Sequence, residues 1–131
     1  MTDRETLFLF RWNQAEETLA EAEKMMREGF SARSTVNRIY YSLFYALLAL
    51  FIRTGVDIRT SRHTGIISLF DKEFVKAGKF EKRHSAILHD IFDARQESDY
   101  RELVDISGDD VNAYLTDAKE LIRAINAFLN K

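Results

Sequence analysis

The chain has 131 residues, 46% of them hydrophobic and 31% charged, with a net charge of −2. That is the length of one domain with enough apolar residues for a core, which excludes an intrinsically disordered chain. Its lack of cysteine excludes disulfides, thiolate metal sites and a cysteine nucleophile, and its lack of proline removes the strongest helix breaker from every segment.

The opening Met1-Thr2-Asp3-Arg4-Glu5 lacks the basic-then-apolar run of a secretion signal, so a cytoplasmic protein is expected. Trp12, Ala15, Leu19, Ala22 and Met26 keep the three-four spacing of a buried stripe, and Glu16 to Glu28 is rich in strong helix formers. The first helix is predicted over 4–28, stopped by Gly29.

A second helix is predicted from a cap at Ser31 or Ser34 to just before Gly55. Within it, Ile39 to Ile52 is a run of fourteen uncharged residues. A membrane span needs about twenty, and Arg38 and Arg53 close this run at both ends, so it reads as a central core helix with no membrane. Val36, Ile39, Tyr40, Leu43, Phe44, Leu47, Leu50 and Phe51 form one apolar face, and Tyr41, Tyr45, Leu48 and Ile52 form a second. A helix apolar on two faces must be covered on both, by its own chain or by a second copy.

After a polar connection, a shorter helix is predicted over 63–76, ended by Ala77-Gly78, with Ile66, Ile67, Phe70, Phe74 and Val75 inward. Another runs from about Lys82 to Ser98 or beyond, with Ile87, Leu88, Ile91, Phe92 and Arg95 in one stripe. Ser107-Gly108-Asp109-Asp110 has capping-box spacing and opens the last helix, whose stripe runs from Val111 to Leu129. The fold expected is all-α, an up-down bundle of four long helices plus one short one, forming a single domain over residues 1–131.

Charge is unevenly spread. Between Ser31 and His63 lie five arginines (Arg33, Arg38, Arg53, Arg59, Arg62), no lysine and one acidic residue, Asp57. The planar guanidinium fork suits bidentate phosphate contacts, although surface ion pairs would account for these arginines equally well. The three histidines are His63, His84 and His89. His84 and His89 are five apart, which does not bring two ligands to one helix face, and no metal site is expected.

Four blocks in order carry a resemblance. Ala32-Arg33-Ser34-Thr35-Val36-Asn37-Arg38-Ile39-Tyr40-Tyr41-Ser42-Leu43-Phe44-Tyr45-Ala46 resembles the opening of the second helix in one subfamily of HEPN proteins. Arg62-His63-Thr64-Gly65-Ile66-Ile67, with Phe70 and Phe74-Val75-Lys76-Ala77-Gly78, looks like the next block. Arg95-Gln96-Glu97-Ser98-Asp99-Tyr100 is similar to an "RxxxDY" signature, and Ala118 to Leu129 to the closing helix. The resemblance implies a helical bundle that dimerises and works beside a minimal nucleotidyltransferase in a toxin–antitoxin pair. It also implies, for active members, a metal-independent ribonuclease without cofactor, using an arginine and a histidine with four to six residues between them.

That histidine is absent here, since Tyr100, Arg101 and Glu102 stand in its range. Cleavage through the 2′-hydroxyl needs a group that exchanges protons near neutral pH, which is the natural range of histidine and not of tyrosine. The expectation is therefore a homodimeric nucleotide- or RNA-phosphate-binding component, with Arg95, Asp99, Tyr100, Arg38 and Arg62 as binding residues. The alternative is a ribonuclease toxin in which His63, brought from another helix, serves with Arg95 as the catalytic pair. Both residues also have structural readings: His63 as a helix anchor bonded to a core carboxylate, Arg95 as the ion-pair partner of Asp99 one turn on. Tyrosines near the arginine motif are modified with nucleotides in some family members, and Tyr100 lies two places earlier than that pattern requires.

Overall fold

The computed structural model describes residues 1–59, 62–100 and 106–130, with the side chains of residues 97–100 outside that description. Its long helices are α1 (Asp3–Arg27), α2 (Ala32–Thr54), α4 (Lys82–Tyr100) and α5 (Gly108–Leu129). The shorter α3 (His63–Phe70) continues into a π-helical turn, Asp71–Val75.

The helix ends follow the residues that terminate them. Thr2 caps α1 by accepting from Glu5 N, and Gly29 beyond the other end has φ 74°. Of the two serines that could cap α2, Ser31 is the one that does, accepting from Ser34 N. Ser107 and Asp110 close a reciprocal capping box on α5, so aspartate serves where glutamate is usual. At the far end of α2, Gly55 adopts φ 77°, and a Cβ there would meet the Arg4 guanidinium at 3.2 Å. Arg4 occupies that place because it donates from Nε to Ile52 O (2.7 Å) and from Nη2 to Arg53 O (2.8 Å). Those bonds join the start of α1 to the end of α2, so the two helices run antiparallel.

α2 packs against α1, α3, α4 and α5, and one continuous core draws on all five helices. Val36, Ile39, Tyr40, Leu43, Ala46, Leu47, Leu50 and Phe51 are fully buried. Among the described residues α2 is the one helix long and apolar enough to cross a membrane, yet 61% of its most apolar stretch is buried by neighbouring helices. Its composition is accounted for by that core position. The second apolar face, Tyr41, Tyr45, Leu48 and Ile52, is half-buried within the chain.

The one departure in helix type lies after α3. A uniform helix to Lys76 is replaced by a wider turn in which Lys76 N donates to Asp71 O at 2.8 Å, five residues back. Phe70 and Phe74 both enter the core across this turn, with ring centres 6.0 Å apart. Asp71 meanwhile accepts from Ser85 Oγ (2.6 Å) and pairs with His89 Nε2 (2.7 Å) on α4. Apolar spacing alone does not distinguish this turn from continuous α-helix.

Candidate functional site

Three helices bring the site together. The middle of α2 supplies Tyr40, Tyr41 and Phe44; the first residue of α3 is His63; and α4 supplies Phe92 and Arg95. Because Tyr40 lies on the buried face of α2 and Tyr41 on the half-buried one, the two rings turn a corner from core to surface. They meet edge to face with centres 5.4 Å apart.

His63 lies against this corner. Its ring stacks on Phe44, with centres 4.3 Å apart, and on Tyr40 at 5.4 Å. Its Nδ1 is 2.8 Å from the Tyr40 hydroxyl. Arg95 approaches the same pair of tyrosines from α4, with its guanidinium carbon 5.2 Å from the centre of Tyr40 and 5.3 Å from that of Tyr41. Its Nη2 donates a long bond to Tyr41 Oη at 3.4 Å. A guanidinium over aromatic faces is held by the ring quadrupoles, by roughly 0.5–1 kcal/mol in exposed settings. The two tyrosine rings thus give a cation in an apolar stripe a surface to rest on.

The electrostatics follow from this packing. Burial pushes the Tyr40 hydroxyl far above its ordinary range, outweighing the opposing pull of Arg95, so it stays protonated. Burial and then the Arg95 charge push the His63 imidazole below its ordinary value, so it is neutral at neutral pH. A fixed positive charge thus lies beside an uncharged imidazole, both half-buried where electrostatic attraction for an anion is stronger than in bulk water.

Of the residues singled out from the sequence, His63 and Arg95 are brought together and Arg38 is not. Arg38 directs Nη2 to Glu21 of α1 at 3.2 Å, beside a shallow depression lined by Met25, Arg33, Ser34 and Asn37. Arg62 is exposed at the N-cap of α3, immediately before His63. The side chains of Asp99 and Tyr100 lie outside the described residues. His63 does anchor its helix to the core, through a tyrosine hydroxyl where a carboxylate was expected. Tyr40, Tyr41 and Phe44 were legible only as core aromatics; their adjacency in the Tyr-Tyr pair was the available signal.

The remaining arginines of the positive segment disperse. Arg59 pairs with Asp57, and Arg53 stacks over Phe8 at 4.1 Å. The other histidines also part company: His84 Nδ1 accepts from Glu81 N at the start of α4, while His89 pairs with Asp71. Among the described residues no group of three candidate metal ligands occurs.

Among the described residues the fold is thus a helical bundle that gathers an arginine and a histidine on one cluster of aromatics. Residues 9–128 match the HEPN domain model, and the chain belongs to that family. It is 33% identical over 129 residues to a UPF0332 protein of Thermotoga maritima, covering 98% of this chain and 96% of that one. It is 29% identical over 118 residues to a protein of Methanocaldococcus jannaschii named "Putative toxin MJ0142", covering 90% of this chain and 74% of the relative.

Proposed function

We propose that this chain is the HEPN component of a toxin–antitoxin-type module, and that the surface formed by Arg95, His63 and Tyr41 binds a nucleotide or RNA phosphate. The observation that carries the reading is the meeting of His63 and Arg95 on one tyrosine pair, far apart in sequence and adjacent in the fold. A guanidinium offers charge and several donors to phosphate oxygens, and a neighbouring imidazole N–H offers one more. The relative named as a toxin supports the toxin-like part of the reading. The half-covered face of α2, which includes Tyr41, supports a second copy packing beside the site. A minimal nucleotidyltransferase encoded nearby is the partner implied by the family resemblance, and the cytoplasm is the compartment in which the module acts.

Titration with a 5′-phosphorylated oligoribonucleotide tests the binding. Saturable binding by the wild type that is lost in Arg95→Met supports it, and binding unaffected by that change removes Arg95 from the site.

A second reading, ribonuclease activity, is favoured by the neutral state of His63 beside Arg95. A neutral imidazole with a free lone pair can take the proton of a 2′-hydroxyl, and a guanidinium can stabilise charge developing on phosphorus-bound oxygens. Incubating a labelled RNA with wild type and with His63→Ala separates the readings. Fragments with cyclic-phosphate ends, formed by the wild type alone, establish cleavage; intact RNA with bound protein establishes binding.

A further inference from the structure

We propose that Tyr40 is a positioning residue that holds His63 as a neutral imidazole with Nδ1 accepting and Nε2 carrying the proton. The inference rests on the phosphate-binding reading for its functional meaning, but its geometry stands apart from it. The Tyr40 hydroxyl and His63 Nδ1 are 2.8 Å apart, which is a hydrogen bond in which one of the two must donate. Tyr40 is fully buried, and its hydroxyl has no other partner among the described residues. If His63 Nδ1 carried the proton, the tyrosine proton would be left buried without an acceptor, which is costly. With Tyr40 as the donor both groups are satisfied by one bond. Burial holds the phenol in its protonated, donating form.

The groups facing His63 make the same choice. Tyr40, Tyr41 and Phe44 face it from α2, Arg95 acts on it from α4, and Arg62 precedes it on its own chain. Among the described residues none of these is a carboxylate that would hold a proton on Nδ1. The Arg95 charge opposes a second proton on the ring. His63 consequently presents one N–H from Nε2, the ring nitrogen with no partner among the described residues.

A donor at Nε2 matches an unprotonated phosphate oxygen. It does not match the proton-accepting step that opens RNA cleavage, because the lone pair such a step needs is already occupied by Tyr40. Tyr40 thereby biases the site towards holding a phosphate and away from attack by the adjacent 2′-hydroxyl.

Long-range proton–nitrogen correlation spectra of imidazole-labelled full-length protein, without ligand, test this directly. The expected result for His63 above its pKa is an unprotonated, hydrogen-bond-accepting Nδ1, a protonated Nε2, and a slowly exchanging Tyr40 hydroxyl proton near the ring. In Tyr40→Phe, loss of the donor makes Nδ1 easier to protonate, so the His63 pKa rises. A protonated Nδ1 in the neutral wild type overturns the proposal, as does a His63 pKa that Tyr40→Phe leaves unmoved. If Tyr40→Phe does not fold, the wild-type spectrum decides alone. Adding inorganic phosphate then separates the two claims: the expected tautomer with no phosphate response retains the role of Tyr40 and defeats the binding reading.

Discussion

His63 and Arg95 share one tyrosine: the imidazole bonds the hydroxyl of Tyr40 at 2.8 Å while the guanidinium lies 5.2 Å from the centre of its ring. The aromatic group is thus a spacer between a cation and an imidazole. It keeps them close enough to influence each other and gives each a surface to rest on.

Arg95 lowers the His63 pKa, but burial is the larger cause. Replacing Arg95 with Met, which keeps much of the side chain's bulk, should therefore raise the His63 pKa without restoring its ordinary value of about 6.5. An NMR pH titration of the His63 ring protons in both proteins checks this. A value fully restored by the substitution would make the charge, not burial, the dominant cause.

The same shift gives the protein a pH dependence. His63 binds its proton less readily when folded than when unfolded, so in the window between its depressed folded pKa and about 6.5 the unfolded chain holds more protons. Its contribution to stability is fully present above that window and is lost as pH falls through the folded pKa. Urea unfolding at pH 7.5 and pH 5 should show a larger acid loss for wild type than for His63→Phe, because the substitution removes this titration and its other costs fall equally at both pH values.

The adjacent tyrosines should differ in stability. Removing the Tyr40 hydroxyl leaves His63 Nδ1 without its donor and should cost about 1 kcal/mol, typical of a buried hydrogen bond. The Tyr41 hydroxyl is half-buried and its bond to Arg95 is long, so Tyr41→Phe should be close to neutral. Denaturant midpoints of the two variants provide the comparison.

Away from the site, Ser107→Ala breaks the capping box of α5 and should cost about 1 kcal/mol. Thermal unfolding measures that loss, while phosphate binding should be unchanged. A parallel loss of binding would mean that the site depends on global stability instead of its own side chains.

The sequence makes the helices legible because their terminators are local: Gly29, Gly55, Ser31 and the Ser107–Asp110 box each act within one turn of their own position. The π-helical turn is not legible, because Phe70 and Phe74 suit the core in either geometry. Arg95 is conspicuous as a cation in an apolar stripe, and His63 as a histidine beside an arginine. What spacing cannot show is that they meet, since that depends on where α3 and α4 cross α2. Nor does it separate Tyr40 from the other core aromatics, because a buried hydroxyl becomes informative only when its partner is known. Arg38 illustrates the converse: it lies one turn before Tyr41 on α2, yet its guanidinium is drawn to Glu21 on α1.

The central claim is that the guanidinium of Arg95 holds a phosphate with His63 beside it. Fluorescence anisotropy of a labelled 5′-phosphorylated oligoribonucleotide, compared between wild type and a folded Arg95→Met protein, tests it most directly. A charge-assisted contact of about 1.5–3 kcal/mol corresponds to a weakening of roughly tenfold or more. Equal affinities in the two proteins, or no binding by the wild type at all, would contradict the account.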